Sequence, residues 1–397
     1  MNSEPSHPSS AREKLLFTPG PLTTSTRVKQ AMLRDAGSWH CEFNERIQWI
    51  RDQLLAIAEL SRSEGWEAVL LPGSGTHGIE SVFATCVPPH GKVCVVTNGA
   101  YGERMIRMLQ HLQIAYTVLR SPENELPDLT LLDALLTADP AITHVAAVHC
   151  ETTSGILNPI EEIGDISRRH GCLLLADAMS SFGAIPIAVA GAGIDFLVSS
   201  ANKCLAGVPG FCFVLARREI LLANENNARS LSLNLADQLR GFEANGQFRF
   251  TPPTHSLLAF EQALREFISE GGLTARNRRY QSNHTALLAG MRKFGFKVYL
   301  APELQSCIIT AFHCPADSSF DFAGFYRSLS EKGFIIYPGK LTHVETFRIA
   351  NIGHLFESDV FALVNAIAAV KQEMGFDASP VPADADPFAN FQTVPLL

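Results

Sequence analysis

Three short stretches hold residues whose types suit a shared chemistry. Gly73-Ser74-Gly75-Thr76-His77-Gly78 spells G-x-G-x-x-G behind an apolar run, where a helix should start. Alone, this pattern suggests dinucleotide binding. A dinucleotide site wants an acidic residue at the end of the next strand, and that run, VCVVT, ends in Asn98-Gly99. What remains is a Gly/Ser/Thr-rich helix N-terminus. Its free N–H groups suit a single phosphate, or it is only a capped tight turn. Asp177 ends the apolar run CLLLADA, and Lys203 closes DFLVSSANK. Taken singly, the first reads as a helix cap and the second as a solvated rim charge. Taken with the glycine turn, they put an amine, a carboxylate and a phosphate cradle at one sheet edge. Pyridoxal phosphate needs that set: the lysine forms the Schiff base and then shuttles the proton, while the aspartate keeps the pyridine nitrogen protonated.

Other residues extend this reading. Tyr101, in the turn Asn98-Gly99-Ala100-Tyr101-Gly102, is either a loop aromatic or a surface for stacking on a planar ring. Thr153, in Glu151-Thr152-Thr153-Ser154-Gly155, offers a hydroxyl to the phenolic oxygen of the cofactor or to the next helix. Arg348 is the only arginine inside an apolar strand of the C-terminal part, TFRIANIG. A buried cation there needs an anion, and its fork suits a carboxylate or phosphonate. A flexible fork would have to accept both acids, because the two stand at different distances from a reacting carbon. Lys340, after Tyr337-Pro338-Gly339, reads as a surface charge.

The elements that must position these groups are legible as a pattern. Apolar runs such as EAVLLP, GKVCVVTN, THVAAVHC, CLLLADA and DFLVSSAN lack polar alternation and are separated by helical stretches of ten or so residues. That is the mark of an α/β fold with a mainly parallel sheet covered by helices on both faces. Its binding crevice is expected at the carboxyl ends of the strands. After about residue 255 the pattern changes. Two long amphipathic helices meet at Gly271-Gly272, followed by the short strands CIITAFH, GFIIYPG and TFRIANI, a smaller α+β unit. The expected organisation is a disordered lead over 1–14, a large cofactor-binding domain over 15–265 whose first residues can pack on the smaller one, a small domain over 266–375 and a flexible tail over 376–397.

Composition narrows the class. The chain has 397 residues, 46% of them hydrophobic and 18% charged, with a net charge of −8. That balance fits a large packed core and gives no basic footprint for nucleic acid. No run approaches a membrane span, and the polar N-terminus lacks the apolar core of a secretory signal. Nine scattered cysteines, with no CxxC pair, read as reduced thiols of a cytoplasmic protein, and no metal-ligand cluster is evident.

Several segments resemble the class V, fold-type I aminotransferases. They include LLFTPGPLTTS (15–25), GSGTHGIES (73–81), TNGAYGERM (97–105), HCETTSGILNPI (149–160), DAMSSFGAIP (177–186), SSANKCLAGVPGF (199–211) and FIIYPGKLTHVETFRIANIG (334–353). GSWHCEFNERI (37–47) departs from the family pattern. The resemblance implies Lys203 as the Schiff-base lysine and Asp177 as the pyridinium partner. It implies Tyr101 stacked on the ring, Thr153 hydrogen-bonded to it, and Ser74, Gly75, Thr76 and Ser200 on the phosphate. Thr251, in FTPPTH, would reach the cofactor phosphate of a neighbouring subunit, so a homodimer with shared sites is implied. Arg348 would clamp the acid group of small amine and 2-oxo acid substrates. The activity implied is transfer of an amino group from 2-aminoethylphosphonate to pyruvate. Alanine or serine with glyoxylate is the alternative, and a non-catalytic binding module of the same fold is the alternative of another class.

Overall fold

The computed structural model describes residues 13–378. The rest of the expected lead and tail lies outside the described residues. In chain order, β1 (Leu15–Leu16), α1 (Thr26–Ala31) and α2 (Cys41–Ile57) lead into β2 (Trp66–Pro72) and α3 (Gly75–Cys86). Then come β3 (Lys92–Thr97), α4 (Ala100–His111), β4 (Ala115–Arg120), α5 (Leu129–Ala138), β5 (Ile142–Val148) and α6 (Ile160–Arg169). They are followed by β6 (Leu173–Asp177), β7 (Ile194–Ser200), β8 (Phe211–Arg217), α7 (Arg218–Ala223) and α8 (Leu235–Asn245). These build a seven-stranded sheet in the order β2-β8-β7-β6-β5-β3-β4. Strands β3 to β7 run parallel to one another, and β8 alone runs against its neighbours β7 and β2. The non-alternating apolar runs are buried along nearly their whole length, as strands covered on both faces should be.

The sheet topology brings the candidate residues to one edge. Val148 pairs with Asp177, and Asp177 with Val198, so β5, β6 and β7 all end there. Two reversals, through β8, return β2 to the direction of β7. Pro72, opposite Phe211, therefore ends at that edge too, and the glycine turn follows it directly. The helix α2 was not among the expected elements. It covers part of the departing 37–47 segment and puts Phe43, Ile47, Ile50, Leu54 and Leu55 into the large core at helical spacing.

The C-terminal part begins with α9 (Thr254–Glu270) and α10 (Gly272–Lys293), divided by Gly271 and Gly272, both left-handed (φ 109° and 68°). There follow β9 (Ile309–His313), α11 (Phe322–Glu331), β10 (Phe334–Ile335), β11 (Tyr337–Pro338), β12 (Thr346–Ala350) and α12 (Glu357–Met374). The single run expected at GFIIYPG is split. Its first half, β10, pairs with the N-terminal β1, and its second half, β11, pairs with β12. Phe17 is buried in the second apolar core with Phe312, Phe325, Phe347 and, from the far end, Phe376. Beyond Phe17 the chain runs toward the mouth of the large sheet.

Candidate active site

The edge of the sheet opens into a cleft lined by Ser74, Gly75, Thr76, Tyr101, Asp177, Ser200 and Lys203. Seven of the ten residues singled out in the sequence thus share one cavity. Asp177 closes β6 and is 5% exposed. Its Oδ1 accepts the Met179 N–H at 2.9 Å. Burial pushes its carboxyl up to about 7, against which the Met179 bond works only in part. No cationic side chain lies within ion-pair distance of it among the described residues. Lys203 follows β7, and its Nζ donates to the Pro19 carbonyl at 2.7 Å, so the N-terminal segment crosses directly over the amine. Burial lowers the Lys203 pKa, which favours the neutral, nucleophilic amine.

The glycine turn opens α3. His77 turns back, and its Nδ1 accepts the Ser74 N–H at 3.0 Å. Thr76 accepts a hydrogen bond from Arg104 Nη1 at 3.2 Å. Arg104 stands one turn beyond Tyr101 on α4, with its guanidinium carbon 4.7 Å from the tyrosine ring centre. Sequence reasoning passed over Arg104. The signal was its i+3 spacing from Tyr101 on one helix face.

Thr153 is placed differently from its neighbour. Thr152 lines the cleft, whereas Thr153 is fully buried and donates its hydroxyl to Glu151 Oε1 at 2.7 Å. Glu151 also accepts the N–H groups of Thr153 and Tyr101 at 3.1 and 3.2 Å. Burial holds its carboxyl above the ordinary range. This acid ties the turn that carries Tyr101 to the turn that carries Thr152. There is no space between them, since a Cβ on Gly99 would lie 2.4 Å from Glu151 Cγ. Asn98 and Asn158 exchange side-chain hydrogen bonds at 2.7 and 3.0 Å and hold the same two turns together.

Arg348 sits on β12, 5% exposed. Its Nε donates to the Pro338 carbonyl at 3.0 Å and its Nη1 to the Thr152 carbonyl at 2.8 Å. The second bond spans from β12 to the cleft wall. Two backbone carbonyls thus hold two nitrogens of the expected fork. Lys340, read as a surface charge, is exposed, yet its Nζ stands 5.0 Å from the Tyr101 ring centre. Thr251 lies exposed ahead of α9 and is not part of the cleft lining.

The residues present fit pyridoxal phosphate. A buried carboxylate raised toward neutrality lacks a cation, which a protonated ring nitrogen supplies. An amine whose pKa burial lowers lies in the same cleft, and a helix N-terminus with two hydroxyl residues supplies donors for a phosphate.

Comparisons with known proteins agree with this geometry. The chain is 50% identical over 359 residues to the 2-aminoethylphosphonate–pyruvate transaminase of Salmonella typhimurium, covering 90% of this chain and 97% of that one. The enzyme of the same name from Salmonella schwarzengrund matches to the same extent. Among solved structures, the pyridoxamine–pyruvate aminotransferase of Mesorhizobium loti superposes with a TM-score of 0.84 at 23% identity, covering 94% of this chain and 95% of that one. The alanine–glyoxylate aminotransferase of Nostoc sp. gives 0.83 at 23% identity, covering 92% and 97%. Residues 25–340 match the family described as aminotransferase class V. With its cleft, its parallel sheet and this match over most of its length, the chain belongs to the class V aminotransferases, pyridoxal phosphate enzymes of the type I fold.

Proposed function

We propose that the protein transfers the amino group of 2-aminoethylphosphonate to pyruvate, leaving phosphonoacetaldehyde and L-alanine. The observation that carries this reading is the 50% identity, over 90% of the chain, to transaminases named for that pair. When bound, pyridoxal phosphate supplies the carbonyl that takes the donor's amine and the ring that withdraws electrons from the donor's C–H bond. The chain does the rest. Lys203 Nζ would hold the cofactor through its carbonyl carbon and, once displaced by the donor's amine, would move the proton away from the amine-bearing carbon of the donor. General base work of this kind contributes roughly 10²–10⁴-fold. Asp177 would be the anion for the ring nitrogen and would keep that nitrogen protonated. Tyr101 would stack on the ring; Thr153, whose hydroxyl is given to Glu151, would steady the turn from which Thr152 faces the cleft. Ser74, Gly75, Thr76 and Ser200 hold the phosphate. Arg348 clamps the acid group of each substrate.

A homodimer belongs to this reading, with Thr251 of each subunit serving the partner's cofactor phosphate. So do a division into large and small domains near residue 265 and a cytoplasmic location, which the nine free thiols support. No helix among the described residues is long and apolar enough to cross a membrane. Initial rates test the reaction. 2-Aminoethylphosphonate with pyruvate is expected to outrun alanine or serine with glyoxylate. The reverse order would replace the reading with a glyoxylate aminotransferase, and no amine-dependent spectral change would leave a non-catalytic binding protein.

A further inference from the structure

The proposed reaction brings two unlike acids to one cleft. Pyruvate's carboxylate carries one negative charge and is bonded to the reacting carbon. The donor's phosphonate carries up to two charges and stands one bond farther away. Arg348 would have to give up hydrogen bonds to Pro338 or Thr152 to follow that difference. A second, more mobile cation can take it up, and Lys340 carries a compact ammonium on a flexible four-carbon stem. Its Nζ lies 5.0 Å from the Tyr101 ring centre. It leaves from β11, in which Tyr337 is the direct register partner of Arg348.

The backbone around Lys340 is held rather than loose. Gly339 packs against β12 so closely that a Cβ there would lie 2.0 Å from the Thr346 carbonyl oxygen. Two residues beyond Lys340, Thr342 donates its N–H and hydroxyl to Glu123 of the large unit at 3.0 and 3.3 Å. The loop thus has a fixed base, and its ammonium lies over Tyr101, a residue of the cleft lining. Arg104, the other cation against Tyr101, is engaged with Thr76 on the side of the glycine turn. Burial, together with repulsion from Arg104 and Arg348, depresses the Lys340 pKa, so this corner of the cleft favours an added anion.

We propose that Lys340 is the specificity residue for the phosphonate: its ammonium binds the farther, more highly charged head group and supplements Arg348, which suffices for the nearer carboxylate of pyruvate. This role rests on the reaction proposed above. It is tested on the holoenzyme with Lys340→Met and Lys340→Arg. Loss of one charge-assisted contact at an exposed cation is on the order of tenfold in affinity. Lys340→Met is therefore expected to raise KM for 2-aminoethylphosphonate about tenfold and leave KM for pyruvate within about twofold. Lys340→Arg is expected to restore most of the loss. The preference for 2-aminoethylphosphonate over β-alanine, which has the same carbon skeleton with a carboxylate head, should fall by about the same factor. Calorimetry supplies a readout apart from turnover: ethylphosphonate should bind Lys340→Met about tenfold more weakly, and propionate as before. Equal shifts in both KM values, or unchanged binding of ethylphosphonate, would overturn the role of Lys340 while leaving the reaction standing. A wild-type enzyme inert toward 2-aminoethylphosphonate would overturn the reaction itself and this role with it.

Discussion

Asp177→Asn separates the stability of the empty cleft from the chemistry of the filled one. Burial lifts the Asp177 carboxyl from 3.8 to about 7, roughly three units, or on the order of 4 kcal/mol. Its folded pKa is above its unfolded one. The associated stability is therefore complete below pH 3.8 and lost as pH rises through 7. At pH 8 the cofactor-free protein carries the full cost of a buried carboxylate. Asparagine keeps the shape and can accept the Met179 N–H in the same way. The cofactor-free variant should therefore melt several degrees above cofactor-free wild type at pH 8, with the difference vanishing near pH 4. With cofactor the order reverses. Removing one member of a buried ion pair costs about 3–5 kcal/mol, so the donor half-reaction should slow by ~10²–10³-fold. Thermal melts with and without cofactor, and single-turnover absorbance with 2-aminoethylphosphonate, read the two effects. A variant that is less stable when empty, or within about fivefold of wild type in the half-reaction, would refute the assignment of Asp177.

Three further outcomes follow from particular contacts. If Thr251 serves the partner's site, Thr251→Ala should weaken cofactor binding about tenfold, and mixed dimers with Lys203→Ala should regain activity. No complementation would place Thr251 outside the neighbouring site. Gly99→Ala sets a methyl 2.6 Å from Thr153 Oγ1 as well as against Glu151. It should cost about 1–3 kcal/mol in urea melts and weaken cofactor binding; an unaffected variant would show that the two turns are not tightly coupled. Burial lowers the pKa of His144 and of His149 from 6.5 to about 4. Their stability is present above 6.5 and lost as pH falls toward 4, about 2 kcal/mol each by pH 5. Urea midpoints at pH 7.5 and 5 measure it, and a flat profile would contradict it.

How far the molecule is legible in its sequence depends on the kind of contact. Strands such as KVCVVT and LLLAD are readable because burial on both faces removes polar alternation. Asp177 and Lys203 are readable because each ends such a run. Arg348 is conspicuous as a cation in an apolar strand, yet its hydrogen-bond partners are the carbonyls of Pro338 and Thr152, far away in the chain. Lys340 has no local signal at all. Only the pairing of β11 with β12, and the hold of Glu123 on Thr342, bring its ammonium to Tyr101. The split of GFIIYPG is equally non-local, since β10 takes the N-terminal β1 as its partner. By contrast, α2 had a readable helical spacing of apolar residues, which a polar surrounding sequence obscured.

Borohydride reduction of the holoenzyme followed by peptide mapping tests most directly whether Lys203 and Asp177 share one cofactor ring. The expected result is the mass of the reduced cofactor on the peptide that contains Lys203. Excess 2-aminoethylphosphonate added without pyruvate beforehand should abolish that label, and Asp177→Asn should slow its loss. A label on a different lysine, or one that persists after the donor is added, would contradict the assignment.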